Sequence, residues 1–67
     1  MNDYEVVVEE SQTAQQLIRE TVEEVVYHAS VSNSTVYVVR TSYIQRLYDV
    51  LNRTGLTYVI EELSEQS

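Results

Sequence analysis

The fold class is decided by five consecutive β-branched or aromatic residues, Thr35-Val36-Tyr37-Val38-Val39. Such residues favour the pleated strand, and a run without a charged member is typical of a strand in the middle of a sheet. The polar segment 30–34 before the run predicts a loop. After the run, Ser42 and Gln45 have the spacing of a capping pair at the start of a helix, and Gly55 predicts where that helix ends. The sequence thus predicts a central strand followed directly by a helix.

The segments on either side of this unit have the same two periodicities. Residues 4–9 and 56–61 alternate apolar and polar side chains, which predicts two further strands. Between the first two strands, apolar residues recur at three- and four-residue steps, which predicts one long helix running to about residue 28. The residues of this stripe are Ala14, Leu17, Ile18, Val22, Val25, Val26 and Ala29. Thr13 and Gln16 have the spacing of a capping pair for this helix.

These elements predict a single small α/β domain over residues 1–67 with the order β-α-β-α-β. Right-handed crossovers place the strands of such units in parallel, so we expect a three-stranded parallel sheet in the order 1-2-3, with both helices on one face. The other face is then uncovered, and Val7 and Val59 are predicted to lie on it as a possible apolar interface. Residues 64–67 are expected to form a frayed C-terminal tail.

The composition is strongly acidic. Eleven acidic residues stand against four arginines and no lysine, for a net charge of −7. This balance disfavours direct binding of nucleic acid or of an anionic membrane, and it favours a basic protein partner. No apolar run approaches the ~20 residues that span a bilayer, and the first residues lack the basic and apolar segments of a signal peptide. The sequence therefore predicts a cytoplasmic protein.

Residues that carry chemistry are scarce. The chain has no cysteine, one glycine and a single histidine, His28, which is expected near the end of the first helix. These counts leave no glycine-rich phosphate loop, no thiolate site and no paired nucleophile and base. Neighbouring carboxylates such as Glu61 and Glu62 point to opposite faces of a strand. The sequence therefore predicts a protein without catalytic residues, metal or cofactor, and not an enzyme.

Charge distribution is the most informative feature for function. Arg40, Arg46 and Arg53 cluster in the segment after the central strand, whereas most acids lie elsewhere, so the surface is expected to be polarised. Closely spaced glutamates can present negative charge at a density comparable with that of a nucleic-acid strand. The residues predicted to form this partner-binding acidic surface are Glu5, Glu9, Glu20, Glu23, Glu24, Glu61 and Glu62.

In size, acidity and lack of an active site, the chain resembles the small phage-encoded anti-CRISPR and DNA-mimic inhibitors. The resemblance covers the whole chain and rests on composition and size rather than on a motif. It implies a viral protein in the host cytoplasm that binds a basic nucleic-acid-binding protein or a CRISPR effector subunit. The implied mechanism is charge mimicry of DNA together with steric occlusion, carried by the seven glutamates.

Two alternatives stay open. In place of an inhibitor, the sequence is compatible with a small structural or interaction module that dimerises or docks through the uncovered sheet face, and with a protein adapted to high salt. Reversing Glu20, Glu23 or Glu24 to lysine is expected to weaken a mimic, whereas Val7→Glu or Val59→Glu is expected to break a sheet-face dimer. A monomer and a weak homodimer are both compatible with the sequence.

Overall fold

The computed structural model describes residues 1–63 and contains one strand more than the sequence predicts. The elements in chain order are β1 (Asn2–Glu9), α1 (Gln12–Thr21), β2 (Glu24–Val31), β3 (Ser34–Thr41), α2 (Ile44–Thr54) and β4 (Tyr58–Leu63). The tail predicted over residues 64–67 lies outside the described residues.

The sheet is four-stranded and entirely antiparallel between neighbours, in the order β2-β3-β1-β4. The prediction of a three-stranded parallel sheet in the order 1-2-3 is therefore wrong. β1 lies inside the sheet rather than at its edge. α1 connects β1 to β2, which run parallel to each other with β3 between them. α2 connects β3 to β4, which run parallel to each other with β1 between them. This is the split β-α-β, or ferredoxin-like, connection pattern.

The additional strand is β2, whose residues to about 28 were predicted to continue the first helix and whose last residues were predicted to begin the loop over residues 30–34. α1 ends at Thr21, and the last bond of its ladder runs from the Val22 N–H to the Ile18 carbonyl at 3.1 Å. The segment that follows is rich in β-branched and aromatic residues, which pack well in a strand. A register shift between Val25 and Tyr27 marks a β-bulge. The bulge interrupts the two-residue alternation, so the strand resembled a helical stripe in sequence.

The helix starts also differ from prediction. Ser11, not Thr13, is the N-cap of α1, and its Oγ accepts a hydrogen bond from the Ala14 N–H at 3.3 Å. Tyr43 occupies the N-cap position of α2 without a side-chain capping bond, and the Ser42 hydroxyl donates to Glu23. Both predicted capping pairs are therefore wrong. The end of α2 at Gly55 is confirmed, with φ of 77° in the left-handed region that glycine adopts without steric cost.

The predicted loop over residues 30–34 contracts to a turn of two residues. Val31 pairs with Ser34 in the β2–β3 ladder, which leaves Ser32 and Asn33 to connect the strands. Ser32 has φ of 57°, in keeping with the positive φ that tight hairpin turns require. The hairpin brings β2 back against β3 and makes β2 an edge of the sheet.

Both helices cover one face of the sheet. The buried side chains of β1 and β3 alternate along each strand and meet the buried residues of the helices in one core. The strand residues on this side are Tyr4, Val6, Val8, Thr35, Tyr37, Val39 and Thr41, and the helices contribute Ala14, Ile18, Leu47 and Leu51. No element of the described chain covers the other face, which we call the open face.

Candidate protein-binding face

The centre of the open face is apolar. Val7 in β1 lies directly opposite Val36 in β3 on one side and Val59 in β4 on the other. Val38 lies on the same face of β3 two residues after Val36, and Tyr27 of β2 lies opposite Val38. Val59 is 60% exposed and Tyr27 58% exposed. A contiguous apolar surface of this kind on a small domain is characteristic of an interaction site.

Two carboxylates lie beside this apolar centre. Glu5 and Glu61 are directly opposite each other on β1 and β4, two residues along each strand from Val7 and Val59 and on the same face. Side chains in such pairs have Cβ atoms about 4.5–5.5 Å apart, so the two negative charges repel each other. The salt bridges among residues 1–63 involve neither carboxylate. A cation supplied by a partner would relieve this repulsion.

Three charged residues close one end of the open face. Arg40 in β3 donates from Nε to Asp3 Oδ1 at 2.9 Å and from Nη1 to Glu24 Oε1 at 3.4 Å. The three side chains thus bridge β1, β3 and β2 across the sheet. The hydrogen bond from Arg40 holds the pKa of Asp3 below its usual value. Glu24, one of the predicted partner-binding acids, is therefore engaged within the chain itself.

Glu23 also has an internal role. It lies between α1 and β2, where its carboxylate accepts the Ser42 hydroxyl at 2.6 Å and the Ser42 N–H at 3.3 Å. Bonds from the Ser42 and Thr41 side chains hold the pKa of Glu23 at about 2, because they stabilise its ionised form. The carboxylate thereby ties the turn after α1 to the turn before α2, and it is not positioned as part of the open face.

Acidification is expected to weaken this tie. The folded-state pKa of Glu23 is below its value of 4.5 without such partners, so its contribution to stability is present above pH 4.5 and is lost as pH falls towards 2. Glu23→Gln should therefore be less stable than wild type at pH 7, and the difference should shrink between pH 5 and pH 2. Urea unfolding of both proteins at several pH values measures this difference in the free energy of unfolding.

Glu20→Gln is the matched control, because the Glu20 carboxylate accepts only an exposed bond from the Gln16 side chain, at 3.4 Å. Its difference from wild type should stay nearly constant over the same pH range. A constant difference for Glu23→Gln as well would contradict the role assigned to the Ser42 bonds.

The remaining predicted acids lie apart from one another. Glu9 ends β1 at the far end of the open face, opposite Ser34, and Glu20 lies on the exposed side of α1. Glu62 is opposite Tyr4, so it belongs to the helix-covered side of β4. The seven predicted glutamates are thus divided between the open face, the helix layer and a connection. Only Glu5, Glu9, Glu24 and Glu61 share the open face.

Several residues of the open face were missed in the sequence. The valines of β3 that line it are Val36 and Val38, and β2 adds Tyr27, Ala29 and Val31. The alternation within residues 35–39 contained the signal for the β3 pair, since every second side chain of a strand shares a face. The β2 residues carried no such signal, because their segment was interpreted as a helix.

A small cleft lies on the helix-covered side next to the β2 edge. His28 lies there, in a strand rather than at the end of a helix as predicted, with its ring 6.2 Å from that of Tyr37. Burial raises the pKa of Tyr37, so this phenol stays protonated. Ser30 and Thr35 are among the other lining residues. Within residues 1–63, no cluster of three histidine, cysteine or acidic side chains has the arrangement of a metal site.

Comparison with known proteins identifies no relative. The chain matches no protein-family model, no curated protein and no solved structure. Neither helix within residues 1–63 has the length and apolar character needed to cross a membrane. The surface just described is therefore the basis for inferring function.

Proposed function

We propose that this protein is a non-enzymatic binding module that docks on another protein through its open face. The observation that carries the proposal is the row Val36-Val7-Val59, which runs across three strands and is not covered by any element within residues 1–63. An apolar centre with a polar rim is the usual composition of a protein interface. The row extends from the inner strand β3 through β1 to the edge strand β4, on the side of the sheet opposite the helices.

The partner is expected to present apolar side chains flanked by lysine or arginine. Glu5 and Glu61 lie side by side at the rim without a salt bridge to another described residue. A second copy docked face to face would bring another seven negative charges. The cation that it would offer on this face, Arg40, already binds Asp3 and Glu24. Charge complementarity thus favours a basic partner over self-association through this face.

A crosslinking experiment tests this docking. A photoreactive amino acid is placed at the exposed position of Val59, and in a control protein at Gln16 on the exposed side of α1. We expect a discrete crosslinked partner from the Val59 position only. Val59→Glu should then weaken the affinity for that purified partner at least tenfold, about 1.4 kcal/mol, whereas Gln16→Glu, with the same added charge, should not. Equal affinity of the two variants would contradict the proposal.

The second candidate is a more specific form of the first: inhibition of a nucleic-acid-binding protein, such as a CRISPR effector subunit, by occupation of its basic cleft. It is favoured by the net charge of −7 without any lysine and by the adjacent Glu5 and Glu61 on the docking side. In this form, the two carboxylates take the place of phosphates and the sheet blocks access for DNA. The protein would then act in a host cytoplasm as a viral inhibitor.

Competition with DNA distinguishes the two candidates. An inhibitor should displace labelled DNA from a purified CRISPR effector complex, and raising the salt concentration should reduce this displacement steeply. Glu5→Lys with Glu61→Lys should abolish displacement, and Glu20→Lys on the helix layer should leave it intact. If the effector complex binds DNA equally well with and without the protein, the inhibitor form is wrong, while docking on another partner is unaffected.

A further inference from the structure

The two edges of the sheet are protected to different degrees. β4 is an edge strand of six residues that carries Glu61 and Glu62 in its second half. β2, at the opposite edge, has eight residues, and from Val25 to Val31 it contains no acidic residue, arginine, lysine or proline. Charges and prolines are the usual means of preventing an edge strand from pairing with another chain. β2 has only the bulge near its start.

The side chains of this edge are also unusually exposed. Val26 is 46% exposed, Tyr27 58% and Val31 55%. These three account for a large part of the exposed apolar side chains of the described chain. β2 pairs only with β3, and none of the additional backbone hydrogen bonds among residues 1–63 involves it. The backbone groups on its outer side are therefore available for another strand.

The part of β2 after the bulge can pair in an antiparallel arrangement with the same segment of a second copy. It consists of Tyr27, His28, Ala29, Ser30 and Val31, so Ala29 is at its middle. When two such segments run antiparallel with Ala29 opposite Ala29, Tyr27 of each copy meets Val31 of the other on the open-face side. His28 meets Ser30 on the other side. Aromatic and β-branched side chains form favourable cross-strand pairs.

We propose that two copies of this chain pair antiparallel along their β2 edges, with Ala29 on the two-fold axis, and join their four-stranded sheets into one. A second copy fits here because this edge lacks the negative charge found on most of the molecule. The dimer leaves the apolar row through Val7 of each copy uncovered, so it is compatible with docking at the open face and independent of it. The symmetry is closed, since each β2 has one outer edge.

Salt concentration affects this dimer in a defined direction. Each copy has a net charge of −7, so long-range repulsion opposes association, and salt screens it. Dimerisation is therefore expected to strengthen as salt rises. Docking of a basic partner on Glu5 and Glu61 is expected to weaken under the same change, which separates the two interactions experimentally.

Charge variants at the His28–Ser30 contact test both the interface and its register. The double variant His28→Glu with Ser30→Glu places like charges opposite each other twice across the axis. His28→Lys with Ser30→Glu places opposite charges there instead. Sedimentation equilibrium at pH 7.5 should show wild type and the second variant as dimers of 7.8 kDa chains. The first variant should have a dimer dissociation constant at least about tenfold higher.

Gln16→Glu with Gln45→Glu is the control, because both residues are exposed on the helices, neither lines the cleft beside His28 and Ser30, and together they add the same charge. It should dimerise like wild type, and circular dichroism should show that every variant is folded. In wild type, amides of β2 that do not bond to β3 should become protected from hydrogen exchange as protein concentration rises.

Three results would overturn the proposal: a wild-type monomer at millimolar concentration, an undiminished dimer in the like-charge variant, or a dimer that Val59→Glu dissociates instead. The last would assign self-association to the open face. Failure of the edge dimer leaves the Val59 crosslinking result unchanged, and failure of crosslinking leaves the sedimentation result unchanged.

Discussion

Ile18→Ala is expected to leave most of the protein unfolded at 25 °C. Ile18 lies in α1 with no exposed surface, among the largest fully buried side chains of the core. Removing a buried isoleucine side chain beyond Cβ costs about 2–5 kcal/mol, since apolar contacts are lost and a cavity remains. The core of a domain below about 70 residues supplies only about 3–5 kcal/mol of net stability. Urea unfolding followed by circular dichroism measures the loss.

Val59→Ala provides the comparison, because Val59 is 60% exposed on the open face. Its cost should stay below about 1 kcal/mol, the range of strand propensity. Both variants are compared with wild type at one protein concentration, since self-association shifts apparent stability. Equal unfolding midpoints for the two variants would show that α1 does not cover the sheet in the way described.

Val6→Lys should prevent folding, whereas Val7→Lys should allow it. Val6 has no exposed surface and lies opposite Tyr37 and Ile60 on the helix-covered side. An ammonium group buried there without a partner costs several kcal/mol, which exceeds the stability available. Val7 is the next residue of the strand and faces the open side, so a lysine there can extend its charge into water.

Dispersion of the amide signals in a two-dimensional NMR spectrum distinguishes the outcomes directly. We expect collapsed signals for Val6→Lys and a folded spectrum for Val7→Lys. The folded variant should also lose docking at the open face, because it puts a positive charge in the apolar row. The reverse pattern would mean that β1 is shifted by one residue, which exchanges its two faces.

Local patterns predicted most of the regular elements. The alternation over residues 4–9 corresponds to β1, and the run over residues 35–39 lies within β3. The stripe after Ser42 corresponds to α2, which ends at Gly55 as predicted. These features depend on neighbouring residues, so sequence periodicity is informative about them. The position of Val7 on an uncovered face followed from the same alternation and is found in the structure.

The second strand could not be predicted in this way. The apolar residues of this segment have the spacing of a helix: Val22, Val25, Val26 and Ala29. The bulge near Val26 adds a residue to the strand, so the strand does not alternate regularly there. Its hairpin with β3 stabilises the strand through ladder bonds and cross-strand contacts, which the spacing of apolar residues along the chain does not indicate. Without β2, the remaining elements implied a parallel sheet, so one local error produced a wrong topology.

The charges show the same limit. Counting predicted an acidic chain, but it did not predict that Arg40 binds Asp3, 37 residues away, or that Glu23 binds Ser42. Arg40 also binds Glu24, so two of the seven predicted surface glutamates, Glu23 and Glu24, are engaged within the fold. Which carboxylates can meet a partner depends on contacts between distant segments.

Composition and short-range periodicity were thus enough to define an acidic α/β domain, the strand over residues 35–39 and its apolar alternation. Strand order, strand direction, the exposed β2 edge and the separation of the acids into free and internally bonded groups arise only on folding. The physical reason is the range of the interactions involved. Helix and strand periodicities are set by residues a few positions apart, whereas sheet order and ion pairing are set by segments that meet only in the folded chain.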